Sequence, residues 1–148
     1  MGFFELGPPF PPEWTGKPPG LLPEDWPLWE AFRQKFADQY SELYFNVAMS
    51  LRDPPEGLTP ELIRSWIYSF GKRIDVVGVR SKEAVDIIEV TSRAGLRTAG
   101  QVLTYLSMWN KLHPLPGQAL GVIVTSNVDE DVMPLIDASR LVVINPFL

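Results

Sequence analysis

The chain has 148 residues, a net charge of −5 and 45% hydrophobic residues, which together predict one folded domain rather than a disordered chain. It contains no cysteine and a single histidine, so disulfides, thiolate metal sites and histidine-rich metal sites are excluded. Any bound metal would need oxygen ligands, which favours Mg²⁺ or Mn²⁺, and the acidic balance argues against a freestanding nucleic-acid binder.

No stretch reaches the ~18 consecutive apolar residues that a membrane-spanning helix needs. The N-terminus also lacks a basic segment followed by an apolar one, so no secretory signal is visible. We therefore expect no membrane partner, and a cytoplasmic location or, if the protein is viral, a place in the virion.

Residues 1–27 form an arm rich in proline and aromatic residues, with eight of the fifteen prolines of the chain. Proline at this density disfavours helix and central strand, so we predict an extended or polyproline-like segment. The interleaved aromatic side chains need a surface to pack on. Two alternatives remain open: the arm wraps its own domain, or it docks on a neighbouring subunit of a homo-oligomer or hetero-assembly.

Residues 28–148 are predicted to form an α/β domain that begins with a long helix. Apolar residues recur every three or four positions from Leu28, with Asp25 as a candidate N-cap, and the helix should end before Asp53. The stripe that defines this helix is Trp29, Phe32, Phe36, Tyr40, Leu43 and Val47.

A second helix is predicted after the prolines that end the first. Thr59 is its N-cap, Pro60 occupies its first position and Gly71 ends it. A strand over residues 65–70 is the alternative.

Two β-branched runs joined by a short polar turn predict an antiparallel hairpin over residues 72–80 and 85–91. A crossover helix after such a hairpin gives a mixed sheet with a β-hairpin core flanked by helices. The remaining predicted elements are a helix over 97–112, a strand over 120–125, a short helix over 131–138 and a strand over 141–144.

Two acids in the predicted hairpin are candidates for a metal site. Pairing the strands about their turn brings Asp75 near Glu89, and two carboxylates on one face of a sheet can bind a divalent cation. Gln101 and Tyr105, four residues apart on the next helix, share a face that can lean over the same site.

The stretch RIDVVGVRSKEAVDIIEVTSRAGLRTAGQVLTYLSMW resembles the core of the PD-(D/E)XK nucleases, the restriction-endonuclease-like superfamily. The resemblance implies that Asp75 and Glu89 are the metal-binding acids and that Gln101 and Tyr105 are the helix motif. It also suggests Glu42 as the additional acid that some members contribute from the first helix. The fold implied is the family's αβββαβ core, with residues 65–70 as one of its strands.

Thr91 stands where the family has its catalytic lysine, two residues after the second acid. Threonine carries no charge, and loss of such a group is expected to lower the rate by about 10² or more. Arg93, Lys72 and Lys82 are possible electrostatic substitutes. A plainer interpretation of Asp75 and Glu89 is that Arg73 and Arg93 form salt bridges with them at a sheet edge.

Two functions follow from these residues. The first is a catalytically degenerate nuclease-fold domain that serves as a structural or binding part of a larger assembly, such as a viral connector or neck, with protein subunits contacted by the arm. The second is an active Mg²⁺-dependent DNA endonuclease or exonuclease.

Overall fold

Six strands form one mixed sheet whose spatial order follows the chain, in a computed structural model that describes residues 1–148. The strands are β1 (Phe3–Glu5), β2 (Glu42–Ser50), β3 (Lys72–Ser81), β4 (Ala84–Val90), β5 (Gln118–Val124) and β6 (Val142–Ile144). Neighbours are antiparallel from β1 to β4, whereas β4, β5 and β6 run parallel. The parallel pairs follow helical connections, because a tight turn cannot return the chain in the same direction.

Helices cover both faces of this sheet. They are α1 (Trp26–Phe36), α2 (Pro60–Phe70), α3 (Leu96–Leu112) and α4 (Met133–Ala138). Trp29 and Phe32 of α1 pack into one core cluster with β2, β3, β4 and β5, and Tyr105 and Trp109 of α3 pack into another on the opposite face. The predicted α/β class, with a hairpin core flanked by helices, is confirmed. None of the helices is both long and apolar enough to cross a membrane.

Most of the predicted elements after residue 55 are present. The hairpin is β3 and β4, and the crossover helix is α3. The second helix also forms: the hydroxyl oxygen of Thr59 accepts a hydrogen bond from the Leu62 N–H at 3.3 Å, Pro60 is its first residue and Gly71 follows its last. The alternative strand over residues 65–70 is therefore wrong.

The predicted first helix is wrong beyond Phe36, where α1 ends, because the chain then forms β2. This strand is buried on both faces, so its apolar residues run almost without interruption. A continuous apolar run fits helical spacing as well as strand spacing, and periodicity alone cannot separate the two. Asp25 precedes the helix but its side chain makes no capping hydrogen bond.

In this structure the arm packs on its own domain. β1 pairs with β2 at the edge of the sheet, and Phe10 exchanges backbone hydrogen bonds with Leu43. The rings of Phe10 and Trp14 pack on Phe45, at centroid distances of 5.2 and 5.6 Å. The prolines keep the segment extended, and its aromatic side chains bury themselves against the sheet.

The close approach of Tyr40 to β3 makes Gly78 essential for packing. A Cβ at Gly78 would lie 2.5 Å from the Tyr40 ring, whose hydroxyl donates a hydrogen bond of 2.6 Å to the buried Asp86. We expect Gly78→Ala to displace the ring and to lower the free energy of unfolding by about 1–3 kcal/mol. Urea denaturation measures this change.

Gly100 on α3 is the matched control, because it is exposed and a Cβ there would meet no atom within 4 Å. Gly100→Ala should stabilise the protein by roughly 0.5–1 kcal/mol, since alanine is the better helix former. Equal stability of Gly78→Ala and the wild type would contradict the packing argument.

Candidate metal and phosphate site

The sheet opens between β3 and β4 at the two predicted acids. The antiparallel ladder between these strands ends at the pair Val76 and Ile88, although β4 stays paired with β5 as far as Val90. β3 meanwhile stays paired with β2. The two strands therefore separate at the next residues, Asp75 and Glu89.

The carboxylates of these acids bridge the opening. Glu89 Oε1 accepts a hydrogen bond from the Asp75 N–H at 3.2 Å, and Asp75 Oδ2 accepts one from the Val90 N–H at 3.0 Å. Each carboxylate thus occupies a position that a strand carbonyl would fill in a continued ladder. Two oxygen-rich side chains are held side by side by backbone donors.

Burial makes it costly for this pair to carry two negative charges. Glu89 is 7% exposed, and burial, followed by the charge of Asp75, raises its pKa well above the ordinary value. Burial also raises the pKa of Asp75, although the Val90 N–H and Glu89 offset part of the shift. A cation between the two side chains would remove this cost.

The acid pair lies in a cavity of about 530 Å³ between the arm, the end of β4 and the beginning of α3. Thr91 and Gln101, two of the predicted site residues, also line it. Its remaining charged side chains are Asp25, Arg93, Arg97 and Asp129. With all four acids ionised, four acids and two arginines give the lining a formal net charge of −2, which favours a cation.

Asp25 is the site residue that sequence reasoning missed, since it was interpreted only as a helix cap. It is 8% exposed, and its Oδ1 accepts a hydrogen bond of 3.3 Å from the Ser92 N–H. Burial raises its pKa, and its charge in turn raises the pKa of Asp75. In the sequence, Asp25 is only an acid between the arm and the first helix. No periodic pattern includes it, so nothing marked it as a site residue.

Glu42 was predicted as an additional metal ligand, and the structure places it elsewhere. It begins β2 instead of lying on a helix, and it is paired with Val79 near the other end of β3. Its Oε1 accepts a hydrogen bond of 2.9 Å from the Tyr44 hydroxyl. Four residues along a strand from the level of Asp75 correspond to roughly 13 Å, too far to share a cation.

Tyr105 lies close to the acids but does not line the cavity. Burial, then the charges of Glu89 and Asp75, raises its pKa to about 12. The ring packs in the core on the α3 face of the sheet. Of the predicted helix pair, Gln101 therefore lines the cavity, whereas Tyr105 belongs to the core.

No lysine lines the cavity. Lys72 and Lys82, the possible substitutes from the hairpin, lie along other surface depressions. The Thr91 hydroxyl donates a hydrogen bond of 3.3 Å to the Arg93 carbonyl, so it is bonded to the backbone of its own loop. At the position where the resemblance expects a lysine, the side chain is therefore neutral and already hydrogen-bonded.

The plainer interpretation, in which arginines neutralise the two acids, is wrong. The ion pairs of the protein involve the N-terminus, Arg33, Arg64 and Arg80, so neither Arg73 nor Arg93 pairs with Asp75 or Glu89. The acids are left without a cationic partner, and the arginines of the cavity are left without an anionic one.

The donor set at this site fits a hard divalent cation such as Mg²⁺ or Mn²⁺, because it consists of carboxylates. The three acids Asp25, Asp75 and Glu89 are not gathered into a three-ligand cage. Asp75 and Glu89 would hold a cation as the adjacent pair, and water would fill the other positions, as Mg²⁺ prefers.

Comparison with protein-family models, with curated proteins and with solved structures found no match to this chain.

Proposed function

We propose that this chain is a nuclease-like domain that binds a divalent cation and a DNA phosphodiester backbone in the cavity, with an incomplete hydrolytic centre. The observation that carries the proposal is the pair Asp75 and Glu89, buried side by side where two strands separate. Buried acids without a cationic partner are costly to keep for stability alone, so a ligand is the simpler explanation.

The order of the elements supports the nuclease resemblance. From α1 onward the chain runs through β2, β3, β4, α3 and β5, with α2 between the first two strands. This is an αβββαβ series in which β2, not residues 65–70, supplies the first strand. The acids fall on the second and third strands of that series, where the resemblance expects them.

Arg93 and Arg97 support a phosphate ligand. Both line the cavity beside the acids, both are exposed and neither forms an ion pair. A guanidinium group binds phosphate oxygens with two parallel hydrogen bonds. The cavity therefore offers carboxylates to a cation and guanidinium groups to the anion that the cation accompanies.

Hydrolysis is expected to be slow or absent. A bound Mg²⁺ would supply Lewis-acid polarisation of the phosphate and activation of a water molecule. Thr91 offers no charge next to the acids, and arginine cannot accept a proton at useful pH. Binding without turnover is the function that these side chains favour.

An active Mg²⁺-dependent nuclease is the second candidate, and the two unpaired arginines favour it, because they can offset charge on the scissile phosphate. A role in a larger assembly, such as a viral connector, has less support than the sequence suggested. The arm that argued for a partner subunit contacts its own domain.

The test is fluorescence anisotropy of labelled single-stranded and duplex DNA with the full chain, in Mn²⁺ and in EDTA. We expect Mn²⁺ to tighten binding by about tenfold or more, and Asp75→Asn to remove the gain. Asp38→Asn, on an exposed 3-10 helix outside the cavity, makes the same charge change and should behave as the wild type. Replacing Arg93 and Arg97 together with alanine should weaken DNA binding and leave Mn²⁺ binding intact.

Equal DNA affinity in Mn²⁺ and EDTA would refute the proposal. Plasmid cleavage in Mg²⁺ that Asp75→Asn abolishes would establish the second candidate instead.

A further inference from the structure

Asn46, in the middle of β2, has a backbone conformation that strand residues rarely adopt. Its φ is +53°, in the left-handed region, and no other non-glycine residue within a strand has a positive φ. Asparagine and glycine tolerate this region, whereas most other side chains collide there with the backbone. Such conformations persist where the surrounding structure needs them, often next to functional sites.

Apolar side chains change faces at this residue. On β2, Phe45 packs in the core under α1, whereas Val47 packs in the core under α3. Residues two apart point to the same face in a regular strand, so the alternation of side chains is interrupted between Phe45 and Val47. We call this interruption a face reversal. β3 has a face reversal at the same level, since Val76 belongs to the core under α1 and Ile74 to the core under α3.

Asp75 lies opposite Asn46 at the reversal, because the ladder pairs immediately before and after leave these two residues facing each other. The same level is where β3 leaves β4. The reversal thus coincides with the separation of the strands at the residue whose carboxylate meets Glu89.

The Asn46 side chain also contacts the arm segment that lines the cavity. Gly20 has φ +81°, and a Cβ there would lie 2.5 Å from Asn46 Cγ. Gly20 is part of the cavity wall, together with Leu21 and Asp25. One residue therefore lies between the acid on β3 and the arm segment that carries the third acid.

We propose that Asn46 is a positioning residue whose left-handed conformation separates β3 from β4 and so places Asp75 beside Glu89. The inference rests on the proposed function, because its expected consequence is affinity for a divalent cation. Asn46 itself does not line the cavity, so it acts through Asp75.

The experiment compares Asn46→Gly, which keeps the left-handed conformation available, with Asn46→Ala, which does not. Mn²⁺ affinity of the full chain is measured by calorimetry. Exchange of the Asp75 and Val90 amide hydrogens is followed by NMR, because these amides donate to the two carboxylates. Asn46→Ala should lose about tenfold in affinity and lose protection at both amides, whereas Asn46→Gly should keep both.

A cooperative thermal transition establishes that each variant is folded. If Asn46→Ala fails to fold, Asn46→Ser replaces it, since serine also avoids the left-handed region. Unchanged Mn²⁺ affinity in a folded but less stable alanine variant would reduce Asn46 to a structural residue and overturn the inference. Equal losses in the glycine and alanine variants would also overturn it.

The amide exchange separates failure of this inference from failure of the proposed function. A wild-type chain that binds no Mn²⁺ would refute the function, yet loss of amide protection in the alanine variant alone would still support the positioning role. Retained protection in that variant would refute it.

Discussion

Replacing Thr91 with lysine is expected to raise Mg²⁺-dependent DNA cleavage by about 10² over the wild type. Thr91 lines the cavity two residues beyond Glu89 and is partly exposed. Its hydroxyl donates only to the carbonyl of Arg93, two residues along the same loop. The threonine hydroxyl can therefore be replaced without breaking a contact to another element. An ammonium group there would offset charge on the phosphate and orient the attacking water, which the neutral hydroxyl cannot do.

Cleavage of supercoiled plasmid over time measures this gain. Thr91→Met is the matched control, because the methionine side chain is similar in length to lysine and carries no charge. Asp75→Asn combined with Thr91→Lys should return cleavage to background. A lysine variant no faster than the methionine variant would show that the site lacks more than one charged group.

Glu89→Gln is expected to stabilise the cation-free protein at pH 8 by about 1–3 kcal/mol, a rise in Tm on the order of 5 °C. The pKa of Glu89 in the folded chain lies well above its ordinary value near 4.5, mainly because of burial. Glutamine stays neutral, and its amide can donate to Asp75 as a protonated glutamic acid would.

The pH dependence follows from the direction of that shift. Below about pH 4.5 the carboxyl is protonated in both the folded and the unfolded chain, so the variant and the wild type should differ little. As the pH rises through the raised pKa, the folded wild type loses stability that the glutamine variant retains. Thermal melts in EDTA between pH 4 and pH 8 measure the divergence.

Saturating Mn²⁺ should make the wild type more stable than Glu89→Gln, because a cation that binds only the folded wild-type site stabilises the folded state. Glu83→Gln, on the exposed hairpin turn, is the control for a simple change of net charge. Parallel pH profiles for wild type and Glu89→Gln would contradict the assignment of a costly buried charge to this residue.

Local chemistry was enough to predict much of the fold. The threonine cap, proline and glycine that bound α2, and the β-branched runs of β3 and β4, act over a few neighbouring residues. The same pattern placed Asp75 and Glu89 on adjacent strands, because an antiparallel hairpin fixes which residues face each other. The resemblance singled out Thr91, because it expects a lysine two residues after Glu89, and helical spacing paired Gln101 with Tyr105.

Short-range patterns in the sequence did not predict β2 or the position of Asp25. The apolar run after Phe36 suits a helix or a buried strand, and only the neighbouring strands on both sides decide between them. Misassigning that run also misplaced Glu42, which the strand carries away from the site. Asp25 enters the cavity only because the arm folds back over the sheet.

The sequence alone determined the α/β class, the hairpin with its two acids and a neutral threonine two residues after Glu89, because these depend on residue type and short spacing. Only the tertiary structure decided that the arm covers its own domain and that the sheet opens at Asp75. Both outcomes depend on contacts between residues far apart in the chain, whose energies no local pattern contains.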